Sequence, residues 1–304
     1  MEKKYELTDE ILEVGGHVLH RIKALRDFGN VRKGDIGGWI ESQENLSHDN
    51  DCWVYDEATV RDKAIIWDNA TVRDNATIRD KAIIWDNATI CDNATVRDNA
   101  TICDNATVRG DATVRDKAII RDKAIIRDNA TVRVEATVWD NATVRGDATV
   151  RDKATVRGDA TVRDKANIWD NATICDNATV RGDATICDNA TVRGDATVRD
   201  KAIIRDKATV RDNATVRGDA TVCGDATVRG DAEVENKSDY IVFKNWWSSG
   251  RHFTWTRSND MWSVGCFYGT GEELIKKAYN DSDESGREYK RIVKYVESIK
   301  QELK

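Results

Sequence analysis

No proline occurs in the 304 residues of this chain, and its four histidines all lie outside the long repeat that fills most of it. Without proline, every backbone N–H is available as a donor, which suits a structure built from hydrogen-bonded ladders. Without histidine, the repeat lacks the commonest general base. No stretch approaches the ~20 apolar residues of a membrane-spanning helix. The opening Met1-Glu-Lys-Lys-Tyr-Glu-Leu has no apolar signal-peptide core, so a cytoplasmic protein is expected. A strong charge excess is also missing. The formal net charge is −7, and basic and acidic residues nearly balance within the repeat. Nucleic acid and membrane are therefore not expected partners.

Cysteine is present, but not in a pattern that carries chemistry. Cys91, Cys103, Cys175, Cys187 and Cys223 all fall at the same repeat position, where arginine is usual, and no CxxC pair exists. Neither zinc nor a redox dithiol is indicated, and no metal or cofactor is expected. Cys103 and Cys175 would share a face four coils apart, beyond disulfide reach. The expectation is substitution drift at an exposed column.

What the chain does have is regularity. Thirty hexads, each opening on alanine, follow one another from Ala58 to Glu235 without insertion or deletion. The unit is Ala-Thr-Val-Arg-Asp-Asn, always with Val or Ile third. A period so short and strict predicts a β-solenoid. Alternation places Ala and Val on the inner side of a short strand and Thr and Arg on the outer side. The next pair, Asp-Asn, Asp-Lys or Gly-Asp, suits a corner. Three sides then close a triangular coil, and about ten coils would span roughly 48 Å at the usual strand spacing. Burying each large aliphatic yields about 1.5–3 kcal/mol, whereas ordering each residue costs about 1–2 kcal/mol. With one such aliphatic per hexad, a coil cannot stand alone and depends on ladders to its neighbours. Open strand edges at the ends would invite fibre growth, so the non-repetitive termini are the expected caps.

An aliphatic residue at one position, here Val60, and a small one four residues later, here Ala64, resemble the hexapeptide-repeat family of left-handed parallel β-helices. The resemblance covers residues 58–235. Many members of that family are trimeric acyltransferases that use a histidine base and a loop ejected from the helix. Here the repeats hold neither histidine nor inserted loop, so the resemblance implies the fold rather than the activity. The segments Tyr5-Glu-Leu-Thr-Asp-Glu, Leu19-His-Arg-Ile-Lys-Ala-Leu-Arg-Asp-Phe-Gly, Lys33-Gly-Asp-Ile-Gly-Gly-Trp-Ile-Glu and Asn45-Leu-Ser look like the leader of uncharacterised bacterial and phage transferase-like hexapeptide-repeat proteins. That resemblance implies a phage or mobile-element origin and a role against a host defence factor. The fold expected is mainly β. An N-terminal β cap (1–57) precedes a left-handed parallel β-helix (58–235), and a small C-terminal α+β module (236–304) follows.

The exposed columns offer few sites. Threonine ladders suggest ice binding, but the outward partner of the threonine is usually arginine where a flat, uncharged face is needed. Arg-Gly-Asp recurs seven times from Arg109 onward, each time where Gly-Asp makes a corner. Calcium is disfavoured by the Lys or Arg near every Asp. One patch breaks the pattern. Ile65, Trp67, Ile83 and Trp85 fall on the same face of adjacent coils and point outward, with Trp139 further along. Such a cluster marks a contact, whether with the N-terminal cap, a second copy or a partner.

Ile11–Ile22 predicts a hairpin turning at Gly15-Gly16. After Glu235, three strands are expected at Tyr240–Asn245, Arg251–Arg257 and Met261–Tyr268. Helices at about 271–281 and 286–303 would follow, opened by capping boxes at Thr270/Glu273 and Ser285/Glu288. The Gly269-Thr270-Gly271 run is a capped turn in preference to an anion site. Tyr289, Ile292, Val293, Val296, Ile299 and Leu303 form the inner stripe of the last helix. Trp246 and Trp247, beside Arg251 and His252, could form an aromatic–basic recognition cluster, with core packing as the alternative.

The function expected is a non-enzymatic binding or scaffold protein whose solenoid presents the C-terminal module to a protein partner. Self-association through the Ile/Trp patch or the last helix is a further possibility. The alternative is an acyltransferase-like enzyme with a site at an oligomer interface, using His17, His20 or His48.

Overall fold

A computed structural model describes residues 2–300 and 302 and divides the chain into two compact units, Met1–Asp170 and Asn171–Lys304. Both are built largely from the same parallel β-solenoid coil. The hexad Ala70–Asn75 shows how it forms. Its strand is only Thr71–Val72, paired in parallel with Thr89–Ile90 of the following coil. The N–H groups of Thr71, Arg73 and Asn75 donate to Ala88, Ile90 and Asp92 carbonyls at 2.9, 3.0 and 2.9 Å. The corner closes when the Ala76 N–H donates to the Arg73 carbonyl at 3.3 Å.

The corner explains the fifth residue. Asp74 has φ of 61°, a left-handed conformation that costs most residues about 1–2 kcal/mol but that Asp tolerates and Gly adopts freely. Aspartate does more than tolerate it. The Asp74 carboxylate accepts the Asp92 N–H of the following coil at 3.2 Å, and Asp92 accepts the Gly110 N–H at 2.9 Å. A corner N–H that the backbone cannot satisfy is thereby paired. Where Asn stands sixth below an Arg-Gly-Asp corner, its amide reaches the aspartate above, as Asn93 does to Asp111 at 2.9 Å. Inside, every repeat Ala and Val/Ile is buried.

The first unit begins its solenoid one coil before the repeat. The strand Ile36–Ile40 pairs in parallel with Thr59–Val60, Leu46 bridges to Ile66, and Trp53–Val54 pairs with Thr71–Val72. The chain therefore has one coil more than its hexads supply. The expected hairpin is present and longer, Tyr5–Val14 with His17–Ala24, and Gly15 and Gly16 take φ of 58° and 84° at its turn. Ile36–Ile40 also pairs antiparallel with the hairpin, so one strand joins cap to coil. Trp53, Tyr5, Leu19, Ile22 and Phe28 fill the space beneath. Lys4 is buried there too. Its ammonium donates to the Asp49, Asn50 and Cys52 carbonyls at 3.2, 3.3 and 2.9 Å, and burial lowers its pKa.

In the second unit the last coils lead to a four-stranded antiparallel meander, Tyr240–Lys244, His252–Thr256, Met261–Val264 and Phe267–Gly269. The expected third strand is thus two strands, because Gly265, at φ of 55°, and Cys266 turn the chain back. Helices α1 (Gly271–Asp281) and α2 (Asp283–Ile299) pack on the sheet around Phe253, Trp255, Trp262, Leu274 and Tyr289. Thr270 and Glu273 form the expected capping box of α1. The cap of α2 differs from expectation: Ser282 accepts the Ser285 N–H at 3.1 Å, and Ser285 is itself buried inside the helix. Acidic Asp283 and Glu284 favour that earlier start. Leu303 lies outside the described residues.

The meander closes the open edge of the last coil. The Thr227 N–H donates to Thr254 Oγ1 at 2.8 Å, Glu233 N–H to Ser258 Oγ at 2.7 Å, and Tyr240 OH to the Thr221 carbonyl at 3.0 Å. Tyr268 lies over Arg229 and donates to its carbonyl at 3.2 Å.

Candidate functional site

The Ile/Trp patch assembles as expected and is open. Ile65 and Ile83 are register partners, and the Trp67 and Trp85 rings stack at 5.7 Å. Ile65, Trp67 and Ile83 are 41%, 43% and 36% exposed, so the N-terminal cap does not cover them. Two coils on, Ile119 extends the apolar row at 40% exposure. Trp139, by contrast, lies between Arg121 and Arg157, 4.6 and 5.6 Å from their guanidinium carbons.

The cysteine at the row's next coil corrects an expectation. Cys103, like Cys91, Cys175 and Cys187, is buried and not exposed. The fourth position is covered by the long side chains of neighbouring coils, so a short residue there sinks from solvent. Cys103 Sγ donates to Asp104 at 3.2 Å, and burial with that bond pushes its thiol up to about 12.

The N-terminal histidines divide. His20 Nδ1 lies 3.2 Å from the Thr8 carbonyl. His48 accepts the Lys4 N–H and stacks on Tyr5 at 4.3 Å, with its pKa lowered by burial and by Lys4. His17, partly exposed like the other two, is the one that meets carboxylates. Its Nδ1 meets Glu41 at 3.0 Å and its Nε2 meets Asp62 at 3.5 Å. The His17 hydrogen bond holds the Glu41 carboxyl below its usual value. These three side chains are close enough to hold a metal ion, as are Asp74/Cys91/Asp92 and Asp86/Cys103/Asp104. In the first group, however, each ring nitrogen already faces a different carboxylate, and Arg61 neutralises Asp62 at 3.4 Å. In the other two, burial raises the thiol pKa, and a protonated thiol is a poor ligand. The arrangements fit proton-bearing clasps better than ion cages.

In the C-terminal module the Trp246 and Trp247 rings meet edge to face at 5.9 Å. Trp246 is 71% exposed on a turn, while Trp247 turns inward to Tyr289 at 4.9 Å. His252 faces the solenoid instead, 2.9 Å from Asp225. There it helps line a cleft of about 500 Å³ with Arg193, Arg211, Arg229, Ser263 and Cys266. The three arginines occupy successive coils of one column. Arg193 and Arg229 precede Gly194 and Gly230, where most hexads carry the aspartate that pairs with the arginine before it. Arg229 Nε lies 3.6 Å from Asp212, and its Nη1 makes no hydrogen bond among the described residues. Burial and the adjacent Arg211 lower the Arg229 pKa. Writing the sequence in rows of eighteen aligns these arginines; the overhanging sheet that makes them a cleft has no such signal.

Among the described residues no helix is long and apolar enough to cross a membrane. No family model matches the chain. Over 43 residues it is 37% identical to YdcK of Escherichia coli (strain K12), described as an uncharacterized acetyltransferase; the stretch is 14% of this chain and 13% of that protein. This similarity and the regular stacking of coils fit a hexapeptide-repeat β-helix.

Proposed function

We propose that the protein is a non-enzymatic binding scaffold, in which the last coils and the C-terminal module together receive an acidic group of a protein partner. The carrying observation is the Arg193/Arg211/Arg229 column beneath His252 and Ser263. Three guanidinium groups at coil spacing, two of them followed by a Gly corner and not an Asp corner, favour an anion. The exposed Trp246 supplies an apolar anchor on the same module. A host factor is the partner class implied by the leader's resemblance. The full chain should capture its partner from host-cell extract, and Arg193→Ser/Arg211→Ser should lose it while unfolding at the same denaturant concentration. Retention of that partner by the double variant would sink the reading.

A second reading is an acetyltransferase, favoured by the half-exposed His17 between Glu41 and Asp62 and by the short similarity to YdcK. It requires calorimetric binding of coenzyme A and loss of activity in His17→Ala. Absence of binding heat would remove it.

A further inference from the structure

The open apolar row of the first unit carries a charge pattern that says what covers it. The two Ile/Trp strands of this face each run from a Lys corner to an Asp corner, Lys63-Ala64-Ile65-Ile66-Trp67-Asp68 and Lys81-Ala82-Ile83-Ile84-Trp85-Asp86. At the starting corner, Asp62 and Asp80 are neutralised by Arg61 and Arg79 at 3.4 and 3.2 Å, which leaves Lys63 and Lys81 as surplus positive charge. At the finishing corner, tryptophan has replaced the arginine that would neutralise the aspartate, leaving Asp68 and Asp86 as surplus negative charge. No ion pair engages any of these four among the described residues. The face is therefore an apolar strip with a positive margin on one side and a negative margin on the other.

We propose that a second copy of this chain docks here, and that the margins fix how. Two copies of one face can meet about either of two in-plane axes. An axis along the strands sets lysine against lysine and aspartate against aspartate. An axis along the direction of coil stacking sets the lysine margin of each copy against the aspartate margin of the other, twice over, while the Ile/Trp rows meet in the centre. The second arrangement is selected, because like charges across an interface oppose association and unlike charges favour it. The result is a two-fold dimer with stacking directions parallel and strands antiparallel across the contact.

Sedimentation equilibrium of the full chain should give a dimer. Trp67→Arg/Trp85→Arg installs the residue the repeat itself uses, so the coil is retained, and it should raise the dissociation constant at least about tenfold. Lys63→Asn/Lys81→Asn, again a repeat residue, should weaken the dimer severalfold; in the opposite pairing it would relieve repulsion and tighten it. Unfolding curves matching the parent protein separate these effects from misfolding. A monomeric or trimeric parent chain, a dimer indifferent to the tryptophan change, or one tightened by the lysine change would each overturn the proposal.

Discussion

Val134 is the one repeat corner residue that is neither Asp nor Gly, and it sits at φ of 54°. A β-branched side chain there is strained. It also offers no carboxylate to the coil above. Val134→Asp restores the repeat residue and should stabilise the protein by about 1–2 kcal/mol, seen as a higher midpoint in urea. The alternation of Asp and Gly at this position was legible in the sequence as a corner. What was not legible is that the aspartate side chain catches the N–H of the following coil, because that contact exists only after eighteen residues have wound back. The cysteines failed for a related reason: alternation identifies an outward position but not what neighbouring arginine stems cover. Because the Cys103 thiol is pushed up to about 12, its contribution to stability is complete below the ordinary thiol pKa of about 8.5 and is lost as pH rises through about 12. The gap in stability between the parent and Cys103→Ser should therefore narrow between those values. At pH 8, a thiol reagent should modify exposed Cys266 quickly and Cys103 only on unfolding.

Among the elements, those with local signals were legible and those decided by packing were not. Gly15-Gly16 announced the hairpin, and Thr270 with Glu273 announced α1. Ser282 and Ser285 were equally able to cap α2, and only burial of Ser285 decides between them. The stretch Met261–Tyr268 offered one glycine, and its reversal depends on pairing Phe267 with Val264. The joint between meander and last coil rests on Gly230, at φ of 65°. A Cβ added there would lie 1.8 Å from the Tyr268 hydroxyl oxygen. Gly230→Ala should displace Tyr268 and cost about 1–3 kcal/mol. Hydrogen exchange at Thr227 should accelerate while amides near Thr71 keep their protection.

For the whole molecule, the repeat specified the coil while its exceptions specified the surfaces. Stability in such an array is a sum over coils and their contacts with neighbours. Removing residues 112–129, one complete coil, returns every corner to register and should leave a cooperative unfolding transition at nearly the same temperature. Removing nine residues puts inward aliphatics at corners and corner Asn or Lys where the inward aliphatics belong, and should abolish folding, as circular dichroism would show. The Ile/Trp row was visible in the sequence, and so were the lysines and aspartates beside it. Their imbalance emerged only once the Arg–Asp pairs of ordinary hexads were seen to cancel each other.

The corner aspartates have one more consequence. Those that make this bond accept from the coil that follows them in sequence, so the carboxylates point one way, as a row of hooks does. The two ends of such a stack are chemically unlike: one offers empty hooks, the other eyes with nothing to catch. A cap made for one end cannot serve the other. That asymmetry is reflected in the two termini, where a buried lysine and aromatic rings close the first coil and hydroxyl groups of a small sheet close the last.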